Sequence, residues 1–325
     1  MSTPASPVIA DSPRHKRWLA YSLLLTASLL WAGNTIIGRG LAQHISPLGL
    51  SFWRWLLAFG LLTLLNLPRW PAYWRDYGEQ IRERWKTLVS LTFFGVVCYN
   101  AFQYWALRHS PAINVALVAS AIPIVILPLS VVVLKVRPAP HAWLGVGLSS
   151  LGVLVVLSRG ELGNLLQLSV SKGDAIMFVA VIAWGIYTII LRKAPLNMPI
   201  RLSLNLQIGL GCCLLFPAYA VEILFNHDAQ PPGLTLGLLL PPLTPNLGVA
   251  LLYLAVGPSL LSYLCWDRGV SLIGAPAAGV FINFIPIFAA FLAVMFLGES
   301  FHLYHALGLG LLLAGVGLIN KHKAA

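Results

Sequence analysis

Acidic side chains are scarce in this chain: ten in 325 residues, against 21 lysines and arginines. Charged residues of both signs make up 10% of it, where a soluble domain carries roughly 25%. So little charge cannot cover a water-soluble surface, but it suits a protein solvated by lipid. Cysteine is sparse too. Cys98, Cys212, Cys213 and Cys265 all fall in apolar runs without C-x-x-C spacing, which argues against a disulfide scaffold or thiolate metal site and for buried apolar residues. No G-x-x-x-x-G-K-[ST] loop occurs, so the chain itself is not expected to hydrolyse ATP. No H-E-x-x-H, paired-carboxylate or nucleophile-elbow pattern points to an enzyme, and no cofactor or metal is expected.

What is present is apolar sequence: 58% hydrophobic residues and a mean hydropathy of +0.81. Ten runs approach the roughly 20 residues that cross a bilayer as helix. They lie at 18–38, 47–67, 87–107, 112–134, 141–158, 174–191, 202–224, 247–266, 275–297 and 303–319. Continuous rather than alternating hydrophobicity favours helices over barrel strands. The first run follows Arg14-His15-Lys16-Arg17 but lacks a small-x-small cleavage site, so it is expected to stay as the first span. With ten spans, sixteen lysines and arginines fall on the side of the N-terminus and four on the other, with Arg54 inside a span. The positive-inside rule then places both termini in the cytoplasm. The net charge of +11 thus reads as orientation, not as nucleic-acid binding.

The chain is also one unit written twice. Ile122-Pro123-Ile124 returns as Ile285-Pro286-Ile287, and the same offset of 163 matches Leu144-Gly145 with Leu307-Gly308 and Gly152-Val153 with Gly315-Val316. At an offset of 153, Trp31-x-x-x-Thr35-Ile36-Ile37-x-Arg39 matches Trp184-x-x-x-Thr188-Ile189-Ile190-x-Arg192. Each copy holds five spans, and an odd number makes the second enter the membrane from the opposite side. The expected fold is an all-α polytopic membrane protein, with ten transmembrane helices as two inverted five-helix repeats. A basic tail occupies 1–17, the repeats 18–160 and 174–320, an outer linker 161–173 and a short cytoplasmic tail 321–325. A Pro-rich outer loop is expected around 225–246. Such symmetry lets two halves exchange conformations around a shared site, which is the build of a carrier.

Polar side chains inside the spans are few: Asn34 and Thr35 in the first, Asn100 and Gln103 in the third, Asn114 and Ser120 in the fourth, Tyr187 in the sixth, Ser259, Ser262 and Tyr263 in the eighth, and Asn283 in the ninth. Amides in hydrocarbon need a partner, across helices or in a wet cavity. Because these spans are counterparts in the two copies, spans 1, 3, 4, 6, 8 and 9 are expected to surround the pathway. The glycine-rich fifth and tenth pack outside it, with Gly310 and Ala314 as a close-packing pair. Trp31 and Trp184 would wall the cavity, each one turn from Asn34 or Tyr187. Pro123 and Pro286 interrupt the fourth and ninth spans at equivalent places, a pointer to a binding site. Arg54, about 9 Å deep at 1.5 Å per residue, is expected to reach the outer headgroups; anion attraction or a gate latch is the alternative. Asp174, Glu222, Asp267 and Glu299 all lie near span ends, so coupling through a mid-membrane acid is not expected.

Leu30-Trp31-Ala32-Gly33-Asn34, Phe52-Trp53-Arg54-Trp55, Trp266-Asp267-Arg268-Gly269-Val270 and the stretch from Gly274 through Asn283-x-Ile285-Pro286-Ile287-Phe288 to Leu297-Gly298-Glu299 together resemble the drug/metabolite transporter superfamily, in its ten-span branch with two EamA-type repeats. The resemblance covers nearly everything from 18 to 320. It implies an inner-membrane carrier of small metabolites, often an exporter of amino acids or related compounds, working by alternating access around a cavity lined by the same six spans. One departure stands out. The family often has a Gly-Glu turn after both the fourth and ninth spans, but here the first copy reads Leu134-Lys135-Val136-Arg137 and only Glu299 remains, as a helix-turn cap or outer gate contact. The expected substrate contacts are Trp31, Asn34, Asn100, Gln103, Asn114, Trp184, Tyr187, Ser262, Tyr263 and Asn283, with Pro123, Pro286, Arg54 and Glu299 in helix-break or gating roles. The partners are the lipid bilayer and a small molecule, and a homodimer stays open. A lipid carrier or flippase and a non-transporting membrane partner are the other readings.

Overall fold

Helices account for every regular element among the described residues of a computed structural model, which cover 14–161, 171–225, 244–273 and 278–319. In chain order they are α1 (Arg14–Leu41), α2 (Pro47–Asn66), α3 (Trp70–Glu83), α4 (Trp85–Leu91), α5 (Tyr99–His109), α6 (Ala112–Ala119), α7 (Ile122–Leu134), α8 (Pro140–Leu157), α9 (Lys172–Lys193), α10 (Ile200–Phe225), α11 (Pro245–Val256), α12 (Ser262–Ile273), α13 (Phe284–Leu297) and α14 (Leu303–Ile319). Among the described residues seven helical stretches are long and apolar enough to cross a membrane, and two shorter apolar helices follow at Phe281–Leu297 and Leu303–Ile319. Large apolar side chains face outward, among them Val132, Phe291 and Phe296, the last 69% exposed. Water would penalise that surface and lipid does not. Most of the N-terminal tail, most of the 161–173 linker, the Pro-rich stretch, Gly274-Ala275 and the C-terminal tail lie outside the described residues.

Helix boundaries follow local chemistry. Ser46 caps α2 by accepting from the Gly49 N–H at 3.0 Å, with Pro47 in the first turn, where its missing N–H is harmless. Thr244 and Pro245 start α11 in the same way. The C-terminal ends of α7 and α13 show the duplication in detail. Lys135 (φ 55) and Gly298 (φ 64) occupy the same repeat position in the left-handed conformation. The next N–H in each copy, Val136 or Glu299, reaches back six residues to Ser130 or Ala293 at 3.3 Å.

Three sequence expectations change here. The third apolar run is not one α-helix: α4 and α5 are joined by a π-helical stretch, Thr92–Cys98. Its counterpart in the second copy is split likewise by Gly257–Leu261, between α11 and α12. Pro123 does not kink a continuous fourth helix but sits in the first turn of α7, after a break at Ser120 and Ala121. Pro286 sits equivalently in the first turn of α13, behind a 3-10 turn at Val280–Asn283. The connection read as an inner loop between the second and third runs contains α3, whose Trp70, Tyr73, Trp74 and Tyr77 share one face opposite Arg75, Asp76, Glu79 and Arg82.

The halves pack through matching elements. α8 lies along α14, α2 along α10, α1 against α12 and α13, and α9 against α5, α6 and α7. Matched helices run antiparallel: a side chain on Gly145 would meet Gly315 and Ile319, and one on Gly152 would meet Gly308 and Leu312. At Gly152 an added Cβ would stand 2.7 Å from the Gly308 carbonyl oxygen, so only glycine allows this approach. The Gly310 and Ala314 pair is not the packing surface, since open space surrounds Gly310. The face in contact carries Gly308 and Gly315 instead.

Candidate functional site

Four consecutive residues of α2 divide two tasks. Phe52 stacks on Tyr219 of α10 at 5.6 Å between centroids, and Trp53 donates to the Tyr219 hydroxyl at 3.4 Å, which fixes α2 against α10. Arg54 and Trp55 turn inward and are 3% and 1% exposed. The Arg54 Nε donates to Ser259 Oγ at 2.8 Å, and its Nη1 donates to Asn34 Oδ1 at 2.8 Å and to Tyr104 Oη at 2.6 Å. Tyr104 in turn donates to Asn34 Oδ1 at 2.6 Å, and Asn34 Nδ2 donates to Gln103 Oε1 at 3.1 Å. One cation thus joins α1, α2, α5 and the π-helical stretch of the second half. The guanidinium also lies over the Trp55 ring at 4.2 Å and faces the Tyr104 ring at 5.8 Å. Arg54 therefore does not extend to the headgroups. Neutral oxygens and aromatic faces replace its water inside the bundle.

Aromatic pairs flank this cluster symmetrically. Trp31 of α1 packs edge-on against Tyr263 of α12 at 5.7 Å, and Trp184 of α9 packs against Tyr99 of α5 at 4.7 Å. Tyr187 packs on Trp184 in a tilted arrangement, at 4.9 Å between ring centroids. The Trp31 indole donates to the Pro258 carbonyl at 3.2 Å, an oxygen made available by the π-helical stretch. Between the halves lies a cleft of about 20 Å³, lined by Trp55, Gly95, Val96, Trp184, Tyr187, Leu204, Gln207, Ile208 and Tyr263. Spans 2 and 7 therefore face this centre with spans 1, 3, 6 and 8, whereas no residue of the expected spans 4 and 9 lines the cleft or joins the Arg54 cluster. The signal was Arg54, the lone charge inside a span.

Other polar residues serve the backbone or the far end of the bundle. Asn100 donates to the carbonyls of Gly95 and Val96, both at 3.1 Å, and Ser262 donates to that of Gly257 at 3.2 Å. In each half a side chain just beyond the π-helical stretch satisfies oxygens that widening releases. Asn114 lies away from Arg54: its Nδ2 donates to Asp174 Oδ2 at 3.3 Å and its Oδ1 contacts His305 Nε2 at 2.9 Å. Beside it Glu299 accepts from the backbone N–H of Ala112 at 2.7 Å and of Ile113 at 3.0 Å, with Arg39 at 3.9 Å. Glu299 thus caps the α6 N-terminus, which presents free N–H groups to a carboxylate. Asn283 is half-buried where the 3-10 turn enters α13, outside the Arg54 cluster. Among the described residues no group of histidine, cysteine and acidic side chains could hold a metal.

A bundle of apolar helices in two matched halves, with a polar and aromatic centre drawn from both, defines a polytopic membrane protein of the transporter class. The chain belongs to the EamA-like transporter family, whose model matches it twice, over residues 18–158 and 171–321. It is similar to an uncharacterized transporter of Archaeoglobus fulgidus, 27% identical over 306 residues that cover 93% of this chain and 97% of that one. It is also similar to the uncharacterized transporter YyaM of Bacillus subtilis, 23% identical with 91% and 92% covered. The uncharacterized inner membrane transporter YicL of Salmonella typhimurium is 24% identical, with 91% and 93% covered. A solved crystal structure shares the fold at a TM-score of 0.58 and 17% identity, covering 94% of this chain and 96% of the other.

Proposed function

We propose that the protein is a secondary-type carrier that moves a small metabolite, an amino acid or related compound, by alternating access, with export as its direction. In this reading 18–160 and 174–320 are inverted five-helix repeats that rock about the Arg54 cluster, in an inner membrane with both termini cytoplasmic. The observation that carries it is the central cluster itself, in which α1, α2 and α5 of one half meet Ser259 of the other around Arg54. Antiparallel pairing of matched helices supports the inversion. The bonds joining Arg39, Ala112, Ile113 and Asn114 to Glu299 and His305 close one end of the bundle, as a gate would. A second groove of about 700 Å³ between α2 and α10 is lined by Leu56, Phe59, Trp70, Phe216 and other apolar residues, with the amide of Asn205. It offers a lipid headgroup little to bind, which favours a metabolite over a lipid as cargo. The test is counterflow: purified protein in vesicles, preloaded with unlabelled amino acids and related metabolites, should accumulate the matching radiolabelled compound. No accumulation across the panel, from protein shown to be folded, sinks the reading.

A further inference from the structure

Arg54 brings a guanidinium cation into the interior of the bundle. Its described hydrogen bonds go only to neutral oxygens, those of Ser259, Asn34 and Tyr104. Among the described residues no carboxylate forms an ion pair with it: the pairs are Arg39 with Glu299 and Arg75 with Asp76. A buried cation without a counter-ion leaves the centre of the bundle positive. Next to it, Trp55 lines the cleft, carries the guanidinium on its ring and keeps its Nε1 buried with no hydrogen-bond partner. A buried indole N–H ordinarily finds an acceptor. Two neighbouring donors thus lack an anionic acceptor, and Trp184, Tyr187 and Tyr263 line the cleft together with Trp55.

Building on the carrier reading, we propose that Arg54 and Trp55 anchor a carboxylate of the transported molecule, whose remaining part lies against Trp184, Tyr187 and Tyr263. With Nε and Nη1 already engaged, a carboxylate can accept from the remaining Nη2 and from the indole N–H. No acidic side chain lines the cleft to meet a cationic cargo. A cleft of 20 Å³ holds about one water, so the ligand enters when the halves part. The competing account makes Arg54 a latch that only ties helices together, in which case its loss weakens all ligands alike.

The test compares acids with their matched amides: phenylacetate with phenylacetamide, indole-3-acetate with indole-3-acetamide, and phenylalanine with phenylalaninamide. Binding to purified protein in nanodiscs is read by calorimetry and tryptophan fluorescence. Wild-type protein is expected to bind at least one acid about 10-fold or more tighter than its amide. Arg54→Gln should level the pair, Arg54→Lys should keep part of the preference, and Trp55→Phe should weaken the acid while sparing the amide. Failure of every acid to bind, an absence of acid preference, or a preference that survives Arg54→Gln overturns the proposal. If Arg54→Gln does not fold, the wild-type comparison and Trp55→Phe decide, and an equal effect of Trp55→Phe on acid and amide overturns it. Acid-selective binding without counterflow of that acid would sink the carrier reading and leave the anchor. Counterflow of neutral solutes without acid preference would do the reverse.

Discussion

At the ends of α7 and α13 the chain makes the same left-handed turn with different residues. Gly298 adopts it freely, whereas Lys135 carries a Cβ that crowds the following carbonyl. Lys135→Gly is therefore expected to stabilise the protein by about 1 kcal/mol, measured by unfolding in mixed micelles. An unchanged or lower midpoint would show that the Lys135 side chain contributes more than its turn costs. The same comparison accounts for Glu299. Its repeat partner is Val136, so only the second copy carries a carboxylate at this turn, and that carboxylate caps α6. Asn283 is a substrate contact only on the sequence argument. If it contacts cargo, Asn283→Leu abolishes counterflow while the protein still inserts and folds; undiminished flux removes it from the site.

Among the elements, the π-helical stretches and the glycine-faced helices decide how closely the halves meet. Asn100→Leu should leave the widened turn at Gly95 and Val96 without its side-chain donor, at about 1–3 kcal/mol. A melting temperature within error of wild type would show that backbone donors suffice there. On α14, Gly315→Val must push against Gly145 and Ser149 across the contact, whereas Gly310→Val adds a side chain in open space. The first should destabilise by roughly 1–3 kcal/mol or more and the second stay within about 0.5 kcal/mol. Equal effects in thermal unfolding would mean that the contact face has been assigned to the wrong side of the helix.

For the whole molecule, the proposed carrier assigns binding and closure to two separate clusters. The Arg54 cluster lies between the halves at their centre, and the Glu299 cluster ties one end. Replacing Arg39 and Glu299 by cysteines, in a chain with its four native cysteines removed, allows a short bifunctional thiol reagent to bridge them. Bridging should stop counterflow and reductant restore it; flux that continues through the bridge would remove this end from the gate. Asp174 and Glu299 belong to the end cluster and not to the centre. Transport is accordingly expected to move no protons in step with cargo, and a stoichiometric pH change in the vesicle lumen would refute that.

Most of the helical layout was legible because lipid enforces a simple rule: long apolar runs must satisfy their own backbone, so each of the ten runs is largely helical in its described part, the fourth with a break at Ser120 and Ala121. Duplication was legible as well, since Ile122-Pro123-Ile124 and Trp31-x-x-x-Thr35 repeat in the sequence itself. The direction of Arg54 was not. Depth along a helix says nothing about which face looks inward, and Asn34, Tyr104 and Ser259 are distant in sequence. The roles of Asn100 and Ser262 were hidden for a related reason, because a polar side chain in a span reads alike whether it meets cargo or a carbonyl released by a π-helical turn. Sequence alone thus determined the membrane class, the helices and the twofold plan, all of which depend on local hydrophobicity and spacing. Only the tertiary structure decided which polar groups converge, because the partners of a buried charge are chosen by packing between helices far apart along the chain.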